Sequence, residues 1–327
     1  MRTTVTEIAT FAALGVLLAV VAWKARRITE AVRLRNALLL QPAHGQNFMW
    51  APPDFPVDFK VEHLSSPPVF RDIVAGLLQG KDRGDWDTAV LLAAHLTEHV
   101  EYKGPIQRDL LATYRAIRNG YGYCADFVRV FMALAHAGKL SVRQWAFSFD
   151  GFGGHGHTIV EVFDRQRNKW LFIDVFNNFH AVDVATGEPL AALEYRDSLL
   201  GKRPPAATQA NGPGGQGFPY DHKAVDYYQR GINQWYMWWG NAVFSYDANP
   251  LVKYSSTVSQ KLAHIVAIVV GVQPRIRILE TAENAVEVRR LFALRRILIV
   301  GAVVAVVLLA GLVVQVLTAD RLLIWAK

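Results

Sequence analysis

Three rhythms of apolar residues organise the chain. Residues 8–23, IATFAALGVLLAVVAW, and residues 297–319, ILIVGAVVAVVLLAGLVVQVLTA, carry no charge at any position. A spanning helix needs roughly 20 apolar residues, with about 17 as the lower limit. The C-terminal run meets that length outright. The N-terminal run meets it once Val5–Glu7 join it or Lys24 snorkels. Basic residues follow the first run instead of preceding it, and Trp23-Lys24 offers no small-residue cleavage site, so a retained anchor is expected over a cleaved signal peptide.

The second rhythm is helical. Residues 84–100, GDWDTAVLLAAHLTEHV, place apolar side chains at 89, 92, 96 and 100 behind Asp85 or Asp87 as N-cap, which predicts an amphipathic helix. The spacing Phe127, Val130, Phe131, Leu134 predicts another, opening at Cys124 and ending at Gly138. The third rhythm belongs to strands. VRQWAFSF (142–149), HTIVEVFD (157–164) and KWLFIDVF (169–176) are rich in β-branched and aromatic residues and are separated by the turns DGFGGHG and RQRN. They predict three consecutive strands in a meander. The fold class expected is α+β, a Cys-bearing helix packed on an antiparallel sheet, flanked by N- and C-terminal transmembrane helices.

Composition divides the rest. Residues 50–70 hold five prolines and read as an extended wrap. Residues 201–219, GKRPPAATQANGPGGQGFP, read as a mobile Gly/Pro loop. Residues 226–246 carry eight aromatics in 21 positions. They fit an interfacial belt, a sugar-stacking surface or core against the sheet, with core as the leading reading. The organisation expected is therefore an anchor at 1–27, a Pro-rich linker at 28–83, a catalytic core at 84–200, the mobile loop at 201–219, an aromatic-rich extension at 220–290 and a transmembrane helix at 291–327.

Apolar content is 52% and the formal net charge +7. The excess of basic residues clusters beside the apolar runs: Lys24, Arg26, Arg27, Arg33 and Arg35 after the first, and Arg289, Arg290, Arg295 and Arg296 before the last. Such clusters mark membrane headgroups and topology. No aromatic-basic interleaving points to nucleic acid. Retaining all nine on the cytoplasmic side predicts a cytoplasm-facing domain in the cell membrane; a periplasmic domain is the alternative. The 11 uncharged residues at 262–272, LAHIVAIVVGV, fall short of a span and read as a buried strand or an interfacial helix.

One cysteine, Cys124, stands in 327 residues, so no intramolecular disulfide can form. It follows Gly120 and Gly122 at a helix start, where unpaired N–H groups and the positive end of the helix dipole stabilise a thiolate. Partners lie on the expected strands. His157 opens the second and Asp174 lies near the end of the third, and neighbouring strands run about 5 Å apart. An imidazole that takes the thiol proton and a carboxylate that fixes its tautomer complete a nucleophilic set. His155 competes with His157 as base, or forms a pocket rim. His136 reads as a core or solvent-facing residue. Asp126 and Glu161 read as structural or solvated charges. A metal trio of His155, His157 and Asp174 lacks the spacing that metal sites show, and neither a cofactor nor a metal is expected.

These residues carry a resemblance. GYGYCADFVRVFMALAHAGKLSVRQWAF, GHTIVEVF and KWLFIDV resemble the core of the transglutaminase-like superfamily. Its pattern is Gly-x-Cys opening a helix, a basic residue on the first strand, His-x-x-x-Glu on the second and Trp-x-x-x-Asp on the third. Gly122-Tyr123-Cys124, Arg143, His157 with Glu161, and Trp170 with Asp174 take those places, over roughly residues 84–185. Thr158-Ile159 stand where an aromatic usually follows the His, and Val175 where Pro frequently follows the Asp. The resemblance implies a papain-like Cys124-His157-Asp174 site for amide hydrolysis or acyl transfer, hydrolysis favoured. Its partners would be a peptide or amide-containing substrate and the lipid bilayer. The alternative is a catalytically silent domain that scaffolds a membrane or cell-envelope polymer assembly together with other envelope proteins.

Overall fold

A computed structural model describes residues 5–43, 48–101, 104, 106, 108–218 and 221–325. The outermost residues of the expected anchors, 1–4, 326 and 327, lie outside them, as does residue 219 at the end of the expected loop. The chain divides into two units, one of residues 1–40, 150–155 and 284–327, the other of 41–149 and 156–283.

The first unit is helical. Helices α1 (Val5–Ala25) and α2 (Ile28–Leu39) pack with a long C-terminal helix, which is numbered last below. Helix α2 is amphipathic and buries Asn36, Ala37 and Leu39. Residues 150–155 dock on it. Arg33 Nε donates to the Gly151 carbonyl at 3.3 Å and Asn36 Nδ2 to the Phe152 carbonyl at 2.8 Å. A Cβ on Gly153 would sit 2.5 Å from the Thr29 carbonyl oxygen, so only glycine fits there.

The second unit is a mixed α+β body. In chain order its elements are β1 (Leu40–Gln41, at the junction of the units), α3 (Pro68–Leu78), α4 (Asp85–Thr97), α5 (Leu110–Ile117), α6 (Cys124–Ala137), β2 (Val142–Phe149), β3 (Gly153–Asp164), β4 (Lys169–Ile173), β5 (Phe179–Asp183), α7 (Ala192–Leu199), β6 (Ala206–Ala210), α8 (Asp221–Gly231), β7 (Trp235–Trp239), α9 (Phe244–Ala248), α10 (Pro250–Val258), α11 (Gln260–Val269) and β8 (Arg275–Ile278). Helix α12 (Ala285–Trp325) is the long helix of the first unit. Six strands form one sheet in the order β1-β8-β7-β2-β3-β4, and β5 and β6 form a second, two-stranded sheet.

The meander expected over 142–176 is present as β2, β3 and β4, with Glu161 opposite Phe172 in the antiparallel β3–β4 register. Because side chains alternate along a strand, the sheet feeds two cores. Val142, Val160, Val162, Leu171 and Ile173 pack against α3, α4 and α6. Trp145, Phe147, Phe149, Ile159 and Phe172 pack on the other side with Trp235, Met237 and Trp239 of β7. The sheet's two-sided burial gives the domain its rigidity and holds β3 and β4, the strands beside the site, in register.

Three stretches differ from the sequence expectation. The aromatic block is core against the sheet, its leading reading, and what differs is the core's boundary at 200: β7 pairs with β2, Gln144 opposite Trp238, and all five of its residues are buried. Within 201–219, Ala206–Ala210 form β6 against β5. Beyond it the Gly212 and Gly214 carbonyls accept from Asn178 Nδ2 at 2.9 and 2.6 Å. The glycines there permit close packing: a Cβ on Gly214 would lie 2.1 Å from the Thr97 carbonyl oxygen, and one on Gly217 2.3 Å from the Phe176 ring. Within 28–83 lie two helices, α2 and α3; Pro68 occupies a first-turn position of α3, where its missing N–H costs nothing.

Among the described residues one helix is long and apolar enough to cross a membrane. It covers 34 residues, Ala282–Gln315, and none of its most apolar window is buried. At 1.5 Å per residue it is about 50 Å long, against a hydrocarbon layer of about 30 Å.

Candidate active site

The turn before α6 sets the position of Cys124. Gly120 (φ 84°) and Gly122 (φ 130°) adopt backbone conformations that side chains disfavour. A Cβ on Gly120 would lie 2.8 Å from the His99 carbonyl oxygen, and one on Gly122 3.1 Å from the Phe127 ring. The glycines thus let the chain turn sharply into the helix. The Asp126 carboxylate accepts from the Tyr123 N–H at 2.9 Å, a cap that ties the first turn down and puts an anion at the positive end of the dipole. Cys124 is the first residue of α6, so its N–H is among the four that have no acceptor within a helix. Its side chain is half-buried, and Tyr121 and Tyr123 before it are exposed.

His157 lies near the start of β3 and is 2% exposed; Asp174, just after β4, is fully buried. Nε2 of His157 and Oδ2 of Asp174 are 2.7 Å apart, which assigns the Nε2 proton to that bond. Oδ2 accepts twice more, from Asn177 Nδ2 at 2.8 Å and from the Tyr228 hydroxyl at 2.9 Å. Oδ1 accepts from the Asn177 N–H at 3.0 Å. Asp174 is therefore held by four donors. The ring of His157 lies at the seam of the two cores, with Phe147 and Tyr228 from one and Phe176 and Phe218 from the other at centroid separations of 5.7–6.2 Å.

With Nε2 engaged by Asp174, Nδ1 is the ring nitrogen left for the thiol. It is buried and has no hydrogen-bond partner of ordinary geometry among the described residues. Burial pushes the imidazole pKa down, but the carboxylate of Asp174 and the adjacent Cys124 outweigh it and carry it up to about 10. The cationic ring is thus the favoured form beside Cys124. Burial, reinforced by the Asp174 charge, raises the Tyr228 hydroxyl well above its ordinary value, so it remains a protonated donor.

The other motif residues form a separate group. Glu161, fully buried, accepts at Oε2 from Arg143 Nε and Trp145 Nε1, both at 2.6 Å, and at Oε1 from the Ala192 N–H at 2.8 Å. The Arg143 guanidinium lies 4.3 Å from the Trp170 ring centroid and donates to the Phe48 carbonyl at 2.9 Å. Arg143, Glu161 and Trp170 therefore hold β2, β3 and β4 together and start α7; they do not reach the thiol.

His157 bonds Asp174 directly, and Cys124 lies beside the same ring. His155 is exposed. His136 closes the end of α6, its Nε2 2.9 Å from the Asn241 carbonyl oxygen. Among the described residues no group of three His, Cys, Asp or Glu side chains is placed to hold a metal ion. Asn177 and Tyr228 escaped the sequence reading. Asn177 had a signal, an Asn three residues after the Asp in a turn. Tyr228 was hidden among the neighbouring aromatics.

No family model matches the chain, and no curated protein or solved structure matches it either.

Proposed function

We propose that the chain is a membrane-anchored thiol enzyme of transglutaminase-like type that cleaves or transfers an amide acyl group. The observation that carries this reading is the buried His157 ring, fixed at Nε2 by a fourfold-held Asp174 and left with Nδ1 for the only cysteine. The Cys124 thiolate attacks the amide carbonyl, forming an S–C bond. His157 gives its proton to the nitrogen as the C–N bond breaks and the amine leaves. Water then attacks the thioester as His157 takes its proton, the S–C bond breaks to release the carboxylic acid, and the thiolate–imidazolium pair is restored. The backbone N–H of Cys124 supports the oxyanion of each tetrahedral step. Hydrolysis is favoured because water is the default acceptor.

The test is alkylation by iodoacetamide at neutral pH. Cys124 should react far faster than a free thiol, and His157→Ala should remove that advantage by taking away the cation beside the thiolate. His155→Ala should leave it intact. Ordinary labelling in the wild-type chain would instead favour the catalytically silent scaffold.

The membrane arrangement extends the reading. Helix α12 serves as one span and α1, uncharged from 8 to 23, as a second, with the nine flanking Lys and Arg residues retained in the cytoplasm together with the catalytic unit. A membrane-impermeant thiol reagent should then fail to label Cys124 in intact spheroplasts and label it after lysis. Labelling before lysis would put the domain in the periplasm.

A further inference from the structure

We propose that the α10–α11 hairpin lies in the interface of an anionic lipid bilayer. Each helix has a buried stripe and an exposed one. Val252 and Ser255 of α10, and Ala263 and Ala267 of α11, are buried in the small core between them. On the outside stand Leu251, Tyr254 and Val258, then Leu262, Ile265 and Val269. Both sets follow the spacing i, i+3, i+7, so each helix turns one continuous apolar stripe to solvent. Tyr254 is 75% and Val269 79% exposed. Contiguous apolar faces of this kind are uncommon on soluble monomers and mark a docking surface.

Charge selects the occupant. Between Asp247 and Glu280 the chain has no acidic residue and four basic ones, Lys253, Lys261, Arg275 and Arg277. Of these, Arg277 is taken up by Asp58. An apolar stripe with leucine, isoleucine and a tyrosine, accompanied by lysines and free of acids, is the composition of a helix that rests at the headgroup level of an anionic leaflet. A bilayer is also near along the chain: the uncharged run of α12 begins at Ile297, 28 residues after Val269 ends α11. The proposal rests on α12 being membrane-embedded, and its test is arranged to separate the two ideas.

The full chain carrying Cys124→Ala would receive one new cysteine at a time, labelled with nitrobenzoxadiazole, in vesicles of phosphatidylcholine and phosphatidylglycerol containing doxyl lipid. Val306→Cys, in α12, reports anchoring. Ala185→Cys, in an exposed turn, reports water. Tyr254→Cys and Ile265→Cys report the hairpin. The expected result is quenching at 306, 254 and 265 by about half or more, none at 185, and a smaller effect at 254 and 265 when phosphatidylglycerol is omitted. Quenching at 306 without quenching at 254 and 265 would overturn the hairpin proposal and leave the anchor standing. No quenching at 306 would remove the anchor reading on which it rests. Equal quenching without phosphatidylglycerol would overturn the anionic preference. Protein-concentration-dependent shielding of Ile265→Cys in detergent, without quenching in vesicles, would overturn it in favour of an interface between two copies of the chain.

Discussion

Cys124→Ala is expected to abolish acylation by an activated ester while leaving the fold intact. Mixed with a p-nitrophenyl acyl ester, the wild-type protein should release a stoichiometric burst of p-nitrophenolate and gain the mass of one acyl group, as the Sγ–C bond forms and the phenolate departs. The alanine variant should do neither, and turnover on any amide substrate should fall by about 10⁴-fold or more, because the other members of such a set do little without the nucleophile. The thiol is half-buried at the first position of α6, at the edge of the core, where alanine fills most of its volume. The stability change should therefore stay within about 1 kcal/mol. A variant that keeps the burst would sink the enzyme reading; one that unfolds would be replaced by Cys124→Ser, which keeps the volume.

The largest effect on stability is expected at Glu161, far from the thiol. Glu161→Ala leaves the Arg143 guanidinium buried with its counter-charge removed and strips acceptors from Trp145 and the start of α7. Breaking one side of a buried ion pair costs about 3–5 kcal/mol. Urea unfolding of the detergent-solubilised chain, followed by tryptophan fluorescence, should show that loss. Arg143→Met combined with Glu161→Gln removes both charges, and the single amide oxygen keeps an acceptor for one of Trp145 Nε1 and the Ala192 N–H, so it should recover part of the loss. A Glu161→Ala chain as stable as wild type would contradict the assignment of this pair as the pin between β2 and β3.

The contrast between these variants explains what the sequence revealed. Cys124, His157 and Asp174 could be picked out by local rules, from a glycine turn into a helix and two neighbouring strand-like runs; the structure puts His157 inside β3 and Asp174 just after β4. The strands β2–β4 were legible through β-branched and aromatic runs. Strand β7 was not, because WYMWW is buried on both faces and so has no alternation to read. Strand β6, AATQA, hides behind small residues with little strand preference. Helix α10 carried a signal that went unread, Asn249 capping a helix with Pro250 in its first turn. The support of Asp174 by Tyr228 could not be seen at all, since it depends on the packing of α8 against the sheet and on no local pattern.

The order of strands in the main sheet also sets a timetable for synthesis. β2 emerges early but borders β7, and β7 borders β8, both encoded much later. Long-range pairings of this kind form slowly, and domains complete themselves as units during translation. On the ribosome, β2 therefore waits with one edge unpaired until residue 239 has left the exit tunnel, and Tyr228 reaches Asp174 only in that same interval. Cys124, His157 and Asp174 are translated well before Tyr228, so in the nascent chain the Asp174 carboxylate is still short of one donor. The apolar helix α12 follows last of all, after every strand of the sheet has been made.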